Sequence, residues 1–192
     1  MTDVLTPDQR RRNMSRIRGV NTKPEKILRS LLFREGFRFR LYDKALPGCP
    51  DIVLKRYRAV IFVHGCFWHR HPGCRYATEP ASNISFWQQK FAGNQSRDAR
   101  NTALLLEMNW NVIIVWECQI RIFQKEGVAS LKDVLTRCAE EMPAQAYEMT
   151  KAATGDTLFY PRRSLSCADQ EEKSGGAPDE VTDQSQIVKP LI

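Results

Sequence analysis

Residues 51–64 read D-I-V-L-K-R-Y-R-A-V-I-F-V-H, from Asp51 to His64, and this stretch decides the fold. Ile52-Val-Leu54 and Ala59-Val-Ile-Phe-Val63 are short apolar runs rich in β-branched residues, which suit a pleated, half-buried surface. The charged turn Lys55-Arg-Tyr-Arg58 between them predicts an antiparallel hairpin. Its register would bring Asp51 and His64 to the same end of a sheet.

Working outward, Thr22 caps a helix with Pro24 in its first turn and Glu25 three residues after the cap. Ile27, Leu28, Leu31 and Leu32 form its apolar face, and Gly36 stops it. Phe37 and Phe39 alternate with Arg38 and Arg40, which predicts a strand, broken by the turn Leu46-Pro-Gly-Cys-Pro50. Ser82 to Asn109 is expected to be helix, with an interruption near Gly93, Trp110 to Trp116 a buried strand, and Ser130 to Glu141 a last helix ending before Pro143. The expected class is α/β, a central mixed β-sheet flanked by helices.

The organisation expected is a basic arm over residues 1–20, a domain over 21–149, and a mobile tail over 150–192. The tail is rich in Ser, Gly, Asp and Glu, although Thr157-Leu-Phe-Tyr160 can pair as an edge strand. No apolar run approaches the roughly 18 residues needed to cross a bilayer, and the N-terminus is not signal-like, so a soluble intracellular protein without membrane contact is expected.

The net charge of +7 is concentrated at the front, with an excess of +7 in residues 1–40, +2 in 41–150 and −2 in 151–192. Arg10, Arg11, Arg12, Arg16 and Arg18 suit a polyanion such as nucleic-acid phosphates; a solvated charged face is the alternative.

All three histidines, His64, His69 and His71, fall beside Cys66 and Cys74. Thiolates and imidazoles in this density suit tetrahedral zinc, with Cys66, His71 and Cys74 as three ligands. Cys118, just past the Trp110–Trp116 strand on what reads as a loop, is the best fourth. Cys49, in a tight turn, Cys138, in a helix, and Cys167, in the tail, suit less well. Four protein ligands make a structural zinc site, and free thiols beside surface histidines are the alternative.

His64 and His69 are then left to move protons near neutral pH. Asp51 with this pair suits Mg²⁺, which takes one or two carboxylates and relies on substrate phosphate for further ligands. Pro50-Asp51 followed across a hairpin by a second short motif has the outline of a nuclease, with Phe62-Val63-His64 where an acid and a lysine usually stand. Glu25 either completes the capping box with Thr22 or hydrogen-bonds a metal-bound water. Phe67-Trp68 is poorly placed for a core and suits a wedge between base steps, with Trp87 as a third member or a core residue.

Together these residues resemble the very short patch repair endonucleases, bacterial enzymes that nick DNA at T·G mismatches left by deamination of 5-methylcytosine. The likeness runs through Arg12-Asn13-Met14, Pro24-Glu25-Lys26, Leu46-Pro47-Gly48, Pro50-Asp51, Val60-Ile61-Phe62, His64-Gly65-Cys66-Phe67-Trp68-His69, Phe86-Trp87 with Lys90 and Asn94, Arg97-Asp98, and Val115-Trp116-Glu117-Cys118. It spans about residues 8–140. The resemblance implies a restriction-endonuclease-like fold and a monomer that acts on double-stranded DNA with a T·G mismatch in the bacterial cytoplasm, alongside mismatch-repair and polymerase partners.

It also implies that Asp51 and the backbone carbonyl of Val63 bind Mg²⁺, and that Glu25, His64 and His69 orient or exchange protons with metal-bound water. Cys66, His71, Cys74 and Cys118 would hold zinc. Phe67, Trp68 and Trp87 would intercalate opposite Met14, with Lys90 and Asn94 at the mismatch. Three positions depart from the family: Val63 replaces a usual Thr, the His71–Cys74 loop is one residue longer, and Cys49 replaces a common Arg. A restriction-type endonuclease that needs no mismatch and a non-catalytic zinc-stabilised DNA-binding module are the other readings.

Overall fold

In the computed structural model the hairpin forms as expected: β1 (Ile52–Leu54) pairs antiparallel with β2 (Ala59–His64), Leu54 opposite Ala59. A single 3-10 turn, Lys55–Tyr57, and Arg58 in the left-handed region at φ +43° close it. The structure describes residues 6–15, 19–140, 144–151 and 157–161. Before the hairpin come α1 (Pro7–Ser15) and α2 (Lys23–Arg34), and after it α3 (Ile84–Glu107), β3 (Asn111–Trp116), α4 (Glu117–Glu126), α5 (Ala129–Glu140), β4 (Ala146–Lys151) and β5 (Thr157–Pro161).

The sheet runs β1-β2-β3-β4-β5, with β2, β3 and β4 mutually parallel and an antiparallel strand at each edge. The parallel strands need covered faces. All six residues of β3 are buried. On one face Ile61, Ile113 and Met149 meet Leu28 and Leu32 of α2, Ile120 and Phe123 of α4, and Leu131 and Leu135 of α5. On the other, Val53, Val60 and Val112 meet Leu105 of α3. The period-two alternation of the strands thus divides the core between two helical layers.

Several expectations need correction. The Phe37–Arg40 segment is not a strand: Phe37 enters the core, but only Arg40 bridges Val53, because the turn to Pro50 follows at once. Helix α3 passes through Gly93 without interruption; the glycine faces open space, so nothing forces a break. Helix α4 went unread, and it places Cys118 in a first helical turn rather than a loop. The sheet also continues past the expected tail boundary at residue 150 through β4, which went unread, while β5 is the edge strand anticipated at 157–160. The remainder of the expected tail, from 162 to 192, lies outside the described residues, as do parts of the expected basic arm. Among the described residues no helix is long and apolar enough to cross a membrane.

Candidate active site and metal cluster

Because β2 and β3 are parallel with His64 opposite Trp116, the loop leaving β2 and the helix leaving β3 emerge at the same end of the sheet. The loop folds tightly on itself through His69 N–H to Gly65 O at 3.1 Å and His71 N–H to Cys66 O at 3.0 Å. Arg70 and Gly73 take left-handed conformations, at φ +55° and +65°, that reverse the chain.

Cys66, His71, Cys74 and Cys118 gather with their donor atoms all within 4.8 Å of one another. His71 Nδ1 lies 3.3 Å from Cys118 Sγ and 3.7 Å from Cys66 Sγ. Tetrahedral zinc with its usual bond lengths places N and S about 3.6 Å apart, so the donors fit that ion. Burial and the neighbouring thiols push the Cys118 thiol up, and burial also raises that of Cys66. Burial holds the His71 imidazole down, in the neutral form that ligates metal, and the ring stacks on Trp116 at 4.2 Å. None of the described cysteines forms a disulfide.

The second constellation is acidic and imidazole-rich. Asp51 immediately precedes β1, and its Oδ2 accepts the Val63 backbone N–H across the hairpin at 2.8 Å. Burial pushes the Asp51 carboxyl up to about 6; the Val63 donor lowers it, Glu25 raises it, and Arg29 and His69 lower it. A buried carboxylate driven upward beside a second carboxylate is short of positive charge, which fits a hard cation. His64 stacks on His69 with ring centroids 3.8 Å apart, and His69 Nδ1 meets Asp98 Oδ2 of α3 at 2.6 Å. His64, His69 and Asp98 bring their donor atoms together, and Asp51 stands outside that group.

Asp98, which the Arg97-Asp98 match alone does not mark out, is a further functional candidate. Its partner is 29 residues away, and only the crossing of α3 over the loop joins them. With the carboxylate accepting from Nδ1, His69 keeps Nε2 as its acceptor nitrogen.

Glu25 is almost wholly buried, and its carboxylate is committed inside the protein. Oε1 accepts from Thr22 N–H at 3.2 Å and Thr22 Oγ1 at 2.6 Å, the capping-box reading. Oε2 accepts from Asn21 N–H at 3.0 Å, Arg29 Nη2 at 2.6 Å and the Tyr42 hydroxyl. Burial raises the carboxyl, but the Thr22 and Tyr42 donors and the Arg29 charge outweigh it and hold Glu25 below the ordinary range.

The aromatics expected to act as a wedge form one cluster. Phe67 meets Trp68, Trp87 and Phe91 edge-on at 5.1, 5.3 and 5.2 Å. Trp87 is half-buried against Phe91, and Phe86 beside it is exposed. Asn94 is buried, donating Nδ2 to Trp68 O at 2.8 Å and accepting from Arg97, so its amide braces the Trp68 backbone. Lys90 is exposed on α3. Met14 lies within α1, and its side chain falls outside the described residues.

The chain is thus an α/β protein with two donor clusters at one end of its sheet, one of soft donors and one of acid and imidazole, each of which could hold a metal ion. The family model of the DNA mismatch endonuclease Vsr matches residues 2–75. The chain is 50% identical over 120 residues to type II nicking enzyme V.XorIIP of Xanthomonas oryzae pv. oryzae, which covers 62% of this chain and 88% of the relative. It is 43% identical over 147 residues to the DNA mismatch endonuclease Vsr of Escherichia coli, covering 76% and 94% respectively. It is also 44% identical over 121 residues to type II nicking enzyme V.NmeAIP of Neisseria meningitidis, covering 63% and 86%. The chain belongs to the DNA mismatch endonuclease Vsr family.

Proposed function

We propose that this protein is a Mg²⁺-dependent DNA mismatch endonuclease that nicks one strand of duplex DNA 5′ to the T of a T·G mispair. The observation that carries the reading is the placement of Asp51, outside the His64–His69–Asp98 group but near enough for His69 to act on its carboxyl, at the same end of the sheet. Membership of the Vsr family, in relatives named as nicking or mismatch endonucleases, supports it. So does a mixed sheet with helices on both faces, the arrangement expected of a restriction-endonuclease-like fold.

Asp51 and the Val63 backbone carbonyl would hold the Mg²⁺. When bound, that ion supplies Lewis-acid polarisation of the scissile phosphate and a water of lowered pKa. The protein's own work is proton handling and placement. His69 takes a proton at Nε2 from the attacking water, and Asp98 stabilises the imidazolium that results. His64 stacks on the His69 ring and fixes its plane. Glu25, with its oxygens given to five internal donors, orders the entry to α2 and adds negative charge near Asp51.

Cys66, His71, Cys74 and Cys118 would hold zinc in a closed shell that fixes the loop between the two clusters. Phe67, Trp68 and Trp87 enter the base stack, trading unstacking for new contacts. The basic segment of α1 and its flanks, with Met14 on the same helix, meets phosphates. Residues 1–20 act as that arm, and one site cutting one strand needs only a monomer. This work belongs in the bacterial cytoplasm, where repair and polymerase partners would follow the nick.

Labelled duplexes with a T·G mispair or full pairing, incubated with Mg²⁺, test the reading. Nicking of the T-bearing strand confined to the mispaired duplex is expected. Equal cutting of paired DNA would favour restriction, and tight binding without any cut would favour a binding module.

A further inference from the structure

Between α2 and the loop that leads to Asp51 lies a polar network, part-buried around the buried Glu25. Arg29 donates Nη1 to Asn21 Oδ1 at 2.8 Å and Nη2 to Glu25 Oε2 and the Tyr42 oxygen at 2.6 and 2.5 Å. The guanidinium also lies over the Tyr42 ring, 4.8 Å from its centroid. The Tyr42 hydroxyl donates to Glu25 Oε2 and accepts the Asn21 backbone N–H at 2.6 Å.

Tyr42 also reaches the catalytic strand, since its own backbone N–H donates to Pro50 O at 3.2 Å, the carbonyl immediately before Asp51. Two residues upstream, Arg40 exchanges both backbone hydrogen bonds with Val53, at 2.8 and 2.9 Å. One aromatic residue therefore joins Glu25 at its hydroxyl to the Asp51 peptide at its backbone.

Asn21 and Tyr42 are both held in the left-handed region, at φ +57° and +51°. A bulky L-residue pays for that conformation, which persists where its surroundings over-determine it. Here the surroundings are the same network. Asn21 stands between α1 and α2, so the network touches the segment that follows the basic helix as well as the loop that delivers Asp51.

We infer that Arg29 and Tyr42 are positioning residues of the nicking centre, a clamp that fixes Glu25, Asn21 and the Pro50–Asp51 peptide as one unit. The inference rests on the nicking reading above. Arg29 suits the task because its fork serves three partners at once; a lysine ammonium carries the charge without the fixed planar geometry. The clamp acts through Asp51, whose carboxylate would hold Mg²⁺ at the scissile phosphate, and a displacement of about 1 Å there is costly, on the order of 100-fold.

The reporter of Asp51 placement is the Val63 amide, which donates to Asp51 Oδ2 at 2.8 Å. Full-length Tyr42→Phe keeps the ring and loses the hydroxyl, and Arg29→Lys keeps the charge and loses the fork. Three quantities are read in each: single-turnover nicking of a T·G duplex at saturating enzyme and Mg²⁺, affinity for that duplex in Mg²⁺-free buffer, and amide exchange at Val63, Ile61 and Ile113.

The expected result is a nicking rate lower by about 10-fold or more, duplex affinity within about 2-fold, and Val63 exchange faster by about 10-fold, with Ile61 and Ile113 unchanged. A wild-type nicking rate in both variants overturns the clamp. Unchanged Val63 exchange, or exchange that rises equally at all three amides, overturns it too, the latter by showing general loosening. If the wild-type protein itself does not nick, the nicking reading fails, and the Val63 amide alone still decides whether the clamp holds Asp51.

Discussion

Three of the four soft donors, Cys66, His71 and Cys74, lie within nine residues, and Cys118 joins them from the first turn of α4. The acid–imidazole constellation draws instead on the start of β1, the end of β2, the loop and the middle of α3, with Asp51, His64, His69 and Asp98. The first set closes on itself: around a zinc ion its four donors would complete a tetrahedron and leave nothing for a substrate. The second stays incomplete, with a carboxylate short of positive charge and imidazoles directed by neighbours. One loop serves both, so the closed cluster sets where the open one points its side chains.

If that division holds, damage to the closed side should first be seen in folding, and damage to the open side in chemistry. The largest effect is expected for Cys118→Ala: loss of bound zinc, seen by metal analysis, with destabilisation of about 4 kcal/mol or more in chemical denaturation. Unchanged metal content would break the comparison at its simpler end.

On the open side, Asp98→Asn should lower the single-turnover nicking rate by about 10- to 100-fold, because the amide no longer stabilises an imidazolium, with metal content and melting temperature little changed. A wild-type rate in that variant would remove Asp98 from the account.

Asp51 gives a smaller effect of opposite sign on folding. Its carboxyl is raised from 3.8 to about 6, so the native state holds that proton more tightly than the unfolded chain. The contribution is fully present below about pH 4 and is lost as pH rises through 6, a loss of about 3 kcal/mol. In Mg²⁺-free buffer Asp51→Asn should therefore be more stable than wild type at pH 8 by about that amount, and equal to it below pH 4. Added Mg²⁺ should stabilise wild type and leave the variant unaffected, as thermal melts with and without the ion will show.

Smallest is Gly48→Ala, in the loop that approaches Asp51. Gly48 sits at φ +73°, and an added Cβ would stand 2.7 Å from Asn101 Nδ2 of α3. Destabilisation of about 1–2 kcal/mol is expected in the same melts.

The same contrast explains what could be read without coordinates. The hairpin, α2, β3 and α5 announce themselves through apolar periodicity and caps, and the soft cluster through the local density of His64-Gly-Cys-Phe-Trp-His69 and His71-Pro-Gly-Cys74. Helix α4 escaped because it starts directly after Trp116 with no loop, so strand and helix run together in the sequence. Strand β4 begins three residues beyond Pro143, and its Glu148 breaks an apolar run while binding Trp116 Nε1 at 2.7 Å. Asp98 and the Arg29–Tyr42 network depend on side chains brought together by tertiary packing, which spacing along the chain does not encode. Glu25 carries both a local cap and long-range partners, and only the cap is visible in the sequence.

The most direct test of the central claim compares wild type with Asp51→Ala on one T·G duplex, scoring both strand cleavage in saturating Mg²⁺ and binding in Mg²⁺-free buffer. The account predicts cleavage of the T-bearing strand by wild type, a loss of about 1,000-fold or more in the variant, and binding preserved within a few-fold. Cleavage by Asp51→Ala at the wild-type rate would contradict it.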